Sequence, residues 1–279
     1  MSLLERICNI VNIEIEEPAP YGWLHLLCAL AVLLLTVFLC IKIVKAGDGA
    51  FRAVIIVCWV VMFLFEVAKQ TLFPLAMEEG VIVYDYSWVD FPFQLCSTPI
   101  YVLPLLGFLR DGKVRDFAAS YIMTVGLIGG IAVYLSPGTV LVPTMVKNVQ
   151  SMTHHGIQVL TGILTAVYYR KRINKTFFLK GMAVFTVMFT IANLLNTVGF
   201  NILTSSGIMD EDASFNMFYI SPNRDQYFPM FGDLFSLVHP IVYIAGYYIA
   251  IAAGSALICY AVNLCQRLVE KHRSTEEAE

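Results

Sequence analysis

Charge is scarce in this sequence. Asp, Glu, Lys and Arg make up 14% of its 279 residues, against 58% hydrophobic ones, and the mean hydropathy is +0.71. An average globular domain is about a quarter charged, so a soluble domain of this size is excluded. A basic tract is also missing, and no nucleic-acid partner is expected. The seven cysteines (Cys8, Cys28, Cys40, Cys58, Cys96, Cys259, Cys265) show no paired C-x-x-C spacing, which argues against both a zinc site and a disulfide framework. His and Cys lack the spacing of a metal or haem site too, so no metal and no cofactor is expected. The N-terminus has no basic stretch followed by a cleavage site, so no signal peptide is expected.

Long apolar runs take the place of charge. A membrane-crossing helix needs about 20 apolar residues. Seven such runs are read here, at 23–44, 53–73, 91–109, 117–135, 150–169, 177–203 and 235–264. The third is short and carries Pro99 and Pro104, which membrane helices tolerate when neighbours satisfy the freed carbonyls. The fold class expected is all-α, a polytopic membrane protein. Residues 1–20 form an extracytoplasmic segment, 21–268 a seven-helix domain and 269–279 a cytoplasmic tail.

Orientation follows from the loops. Lys42, Lys45 and Arg52 follow the first run; Arg110, Lys113 and Arg115 the third; Arg170, Lys171, Arg172, Lys175 and Lys180 the fifth; Arg267, Lys271 and Arg273 the last. The alternate loops hold only Arg6, Lys147 and Arg224, and are rich in Asp and Glu. The positive-inside rule then puts the N-terminus outside and the C-terminus in the cytoplasm. The loop 204–234 is polar and aromatic, suited to a lid or to a plain connector. Gly126 and Gly130, and Gly246, Ala250 and Gly254, suit close helix packing.

With that orientation, polar side chains share one depth in the outer half of the bilayer. Glu66, Lys69 and Gln70 come from the second run, Gln94 and Cys96 from the third, His154, His155 and Gln158 from the fifth. Asn193, Asn196 and Asn201 come from the sixth, with His25 and His239 at run ends. Intramembrane polar groups are costly and mark function. Plainer readings stand beside this one. Glu66 and Lys69, three apart, can neutralise one another; Asn193 and Asn196 can be interhelical hydrogen-bond partners; a membrane Cys is often a small hydrophobe; His239-Pro240 can open a helix. A Cys beside a His can also form a thiolate nucleophile that takes an acyl group as a thioester. His154 and His155 are adjacent, so they point about 100° apart, and one of them is expected to face Cys96.

Phe93-Gln94-Leu95-Cys96, His154-His155-Gly156 and Asn216-Met217-Phe218-Tyr219 resemble the YwaF family of integral membrane proteins, whose more distant branch includes the vertebrate transmembrane protein 164. The resemblance covers roughly residues 55–260, and Glu66 falls where related chains carry Glu. It implies a seven-helix cell-membrane protein that moves acyl groups between lipids. Cys96 would be the nucleophile and His155, the His before Gly156, the base. His154, Glu66, Lys69, Gln94, Asn193, Asn196 and His239 would support them, and Asn216 and Gln158 would touch substrate, a phospholipid or other acyl lipid. The segment between Asn201 and Asn216 is longer than the family pattern. A transporter or seven-helix sensor built on Glu66, Lys69 and His155 is the alternative. A retinal protein is disfavoured, because the last run has no Lys.

Overall fold

The computed structural model describes residues 1–222 and 238–276. The expected start of the seventh run, and the loop aromatics Tyr227 and Phe228, lie outside the described residues. Helix α1 (Leu3–Val11) opens with a capping box between Ser2 and Glu5. Helices α2 (Trp23–Ala46) and α3 (Asp48–Thr71) are joined by Gly47 alone. Its φ of +83° and ψ of −169° make an extended positive-φ conformation that glycine, lacking a Cβ, adopts readily. A hairpin follows, β1 (Leu75–Glu78) and β2 (Val81–Tyr84). Glu79 and Gly80 both have positive φ at its tip, as a tight two-residue hairpin turn requires.

Residues 91–98 run as turns, and α4 (Pro99–Phe108) starts eight residues later than the third apolar run. Ten residues make a helix only about 15 Å long. Pro104 has no N–H to give Ile100 O; Trp59 Nε1 donates to that carbonyl instead, at 3.0 Å. Arg52 caps the far end of α4 through Gly107 O and Phe108 O.

Helix α5 (Lys113–Leu135) holds a π turn at Ile122–Gly126, and α7 (Lys175–Ser205) another at Leu195–Gly199. Each contains a threonine whose hydroxyl donates to the carbonyl four residues back, Thr124 to Ser120 O and Thr197 to Asn193 O. Between them in sequence, α6 (Met145–Tyr169) is the most enclosed long helix, touching α2, α3 and α5. The chain ends in α8 (Pro240–Glu276).

Five helices among the described residues are long and apolar enough to cross a membrane: Trp23–Ile43, Asp48–Thr71, Lys113–Leu135, Lys175–Ser205 and Pro240–His272. The protein is therefore an all-α, multi-pass membrane protein. Helix α6 has the length but not the apolarity, because its polar side chains face the bundle interior: Asn148, Gln150, His154, His155, Gln158, Thr161 and Thr165 are all buried. The two ends of the bundle differ. At one, Arg115 pairs with Asp48 (2.6 Å), Arg172 with Asp111 and Lys180 with Asp116. The other carries α1, the hairpin and a bridge between Glu14 and Thr144.

Candidate functional site

Cys96 sits in the turns ahead of α4, half-buried. Two side chains of α6, one turn apart and so on one face, converge on its carbonyl: His154 Nε2 at 2.8 Å and Gln158 Nε2 at 2.9 Å. A carbonyl only accepts, so His154 carries its proton on Nε2 and keeps a lone pair on Nδ1. That Nδ1 and the Gln158 Oε1 are buried without a hydrogen-bond partner. Two glycines of α5 let α6 come this close. A Cβ on Gly129 would stand 2.9 Å from Gln158 Oε1, and one on Gly130 2.8 Å from His155 O.

His154 is the one that contacts the Cys96 residue, at the carbonyl rather than at sulfur. His155 donates Nδ1–H to Ser151 O at 2.8 Å, which fixes its tautomer and leaves the Nε2 lone pair able to accept a proton. The two rings lie 5.5 Å apart at 64°.

Glu66 is buried, and its Oε1 accepts from Lys69 Nζ (3.0 Å) and Gln70 Nε2 (2.9 Å). The neutralising pair expected from their spacing is present, and Oε2 has no partner. Gln70 is a junction: its Nε2 also reaches Asp90 O, and its Oε1 accepts from Tyr86.

Gln94 and Asn196 act together on the segment 216–219. Gln94 Nε2 donates to Asn216 O and its Oε1 accepts from Phe218 N–H, both at 3.0 Å. Asn196, in the α7 π turn, donates to Met217 O (2.9 Å) and accepts from Met217 N–H (2.6 Å). Phe218 and Tyr219 are held at φ of +58° and +56°, a conformation that costs a side-chain-bearing residue about 1–2 kcal/mol. Asn216 Oδ1 accepts from Ser221 N–H. Burial pushes the Tyr219 phenol up to about 12, with Cys96 the next influence on it.

The structure thus gathers Cys96, His154, His155 and Gln158, holds Glu66, Lys69 and Gln70 as a second group, and ties Gln94, Asn196 and Asn216 into the clamp. Asn193 bonds back to Phe189 O on its own helix. His239 is exposed and accepts from Ile241 N–H at the start of α8. Neither joins the group. Sequence reading missed Ser151, whose carbonyl orients His155. The only signal was its position one turn before that histidine.

The profile of the TMEM164 family matches residues 20–262. No curated protein and no solved structure matches the chain.

Proposed function

The chain belongs to the TMEM164 family, and we propose that it is an integral membrane lipid acyltransferase, or a related acyl-lipid hydrolase, that works through Cys96. In this reading the Cys96 sulfur attacks the ester carbonyl of an acyl lipid. The S–C bond forms, the ester C–O bond breaks, and the thiol proton, taken up by His155 Nε2, passes to the departing lysolipid oxygen. An acceptor hydroxyl, or water, then attacks the thioester and returns its proton through the same nitrogen to sulfur. Geometry supports separate roles for the two histidines. His154 and Gln158 hold the Cys96 backbone; His155, oriented by Ser151 O, has the free lone pair of a base. The converging grip on Cys96 is the observation that carries the proposal.

The same reading takes α4 and α6 as further crossings, seven in all. Helix α4 is completed by the turns 91–98, and α6 is shielded by its neighbours. It sets the cationic end in the cytoplasm and the hairpin end outside, in the cell membrane, with Cys96 open to lipid of the outer half. Purified protein reconstituted with isotope-labelled phospholipid and a lysolipid tests it. Wild type should transfer label, and Cys96→Ala should not, while remaining folded. Full activity in Cys96→Ala would turn attention to transport through Glu66, whose buried and half-unpaired carboxylate favours that second reading.

A further inference from the structure

A groove opens at the hairpin end of α3, lined by Gln70, Tyr84, Tyr86, Trp88, Phe91 and Pro92. Tyr84 and Tyr86 stand parallel within 4°, with ring centroids 6.2 Å apart, and Trp88 stands at 89° to Tyr86. Both phenols are already committed, Tyr84 OH to Gln70 O and Tyr86 OH to Gln70 Oε1, each at 2.7 Å. What they present to the groove is therefore ring face and edge, not hydroxyl.

The chain segment that carries this groove is acidic. Residues 75–92 carry Glu78, Glu79, Asp85 and Asp90, with no Lys, Arg or His. Lys69, next to Gln70 on α3, is paired with Glu66. The Tyr86 phenol is held far above its ordinary range by burial, then by the negative charge of Asp90. Perpendicular aromatic walls in acidic surroundings suit a cation with an apolar shell, which the ring quadrupoles attract. A bare metal ion would need carboxylates in the lining, and none is there. The groove lies at the end of a membrane-crossing helix, where aromatic residues meet the head-group layer.

We propose that this groove binds the alkylammonium head group of a membrane lipid. The inference does not rest on the chemistry of Cys96, and it is tested in full-length protein carrying Cys96→Ala. In a maltoside detergent, tryptophan emission is followed while dihexanoyl phosphatidylcholine is added below its micellar concentration. Dihexanoyl phosphatidylglycerol and choline chloride are added in parallel. The expected result is a saturable change with the choline lipid, and binding about tenfold weaker for the glycerol lipid and for free choline. Trp88→Phe should remove the signal, Tyr86→Leu should weaken binding by a similar factor, and Tyr86→Phe, which keeps the ring, should retain it. An equal response to phosphatidylglycerol would reduce the groove to an interfacial anchor. Free choline binding as tightly as the lipid would overturn the lipid assignment. No response from protein with wild-type circular dichroism would overturn the proposal outright.

Discussion

Gln94 holds two backbone groups of a segment that cannot reach water, and its loss should be costly. In Gln94→Leu the Phe218 N–H stays buried and loses the acceptor that Gln94 Oε1 gives it, at about 1–3 kcal/mol. Thermal unfolding in detergent should show a clearly lowered midpoint; a wild-type midpoint would mean that the clamp is not structural. The histidines should separate by readout. His155→Ala should slow acyl-thioester formation on the order of a hundredfold, the usual cost of a lost base, with the unfolding midpoint little changed. His154→Ala removes one of two donors on the Cys96 carbonyl, and Gln158 remains. It should cost about 1 kcal/mol of stability and a smaller loss of rate. Equal rate losses would undo the division of roles. Residue types alone singled out Cys96 and the histidine pair, since a polar side chain in an apolar run stands out. Which ring meets Cys96 was not legible, because it depends on the rotation of α6 against the turns 91–98.

Helix packing around Gly129 and Gly130 makes the second level of prediction. Gly130→Leu would drive side-chain atoms into His155 O, Gln158 Cβ and Val159 N, all within 2.9 Å of an added Cβ. Overpacking of this kind costs about 1–3 kcal/mol, and here it should also pull Gln158 off Cys96. Gly246→Leu on α8, where an added Cβ meets nothing within 4 Å, should leave unfolding unchanged; equal effects would contradict the close α5–α6 contact. Four-residue spacing of small residues marked both places alike in the sequence, and only the packing distinguishes them. At the cationic end, the bond from Arg172 holds the Asp111 carboxyl below the usual carboxylate range. A depressed folded pKa means that this contribution is present above the unfolded value and is lost as pH falls through the folded one. Asp111→Asn should lower stability at pH 7 by no more than about 1 kcal/mol, since the pair is exposed. The difference from wild type should shrink as pH falls below the ordinary carboxylate range and the carboxyl is protonated. A difference that grows in acid would contradict the sign.

Across the whole molecule, apolarity announced the membrane class, because the sequence must match the bilayer wherever helices face it. The helices facing inward were harder to read. Helix α6 could be placed by its length but hides among soluble-looking patterns, since it is surrounded by protein. The third apolar run divides into turns and a short helix because Pro99 and Pro104 restrict where a helix begins and how its ladder closes. The hairpin was not foreseen at all. Its period-two pattern is only four residues per strand, too short to stand out beside apolar helices. The proposed orientation has its own test in a background without native cysteines. A cysteine placed at Asp210 should react with an impermeant thiol reagent from outside intact cells, and one at Lys171 only after permeabilisation. The reverse pattern would invert the sidedness of the site.

The most direct measurement is intact-protein mass spectrometry after brief incubation with a phospholipid of known acyl chain. An acyl-thioester mass should appear on wild type, map to the peptide containing Cys96, disappear with neutral hydroxylamine, and be absent from Cys96→Ala. It should accumulate far more slowly in His155→Ala. If turnover of the lipid proceeds while Cys96 stays unmodified, or if the acyl group is found on Cys259 as readily as on Cys96, the nucleophile assignment is wrong.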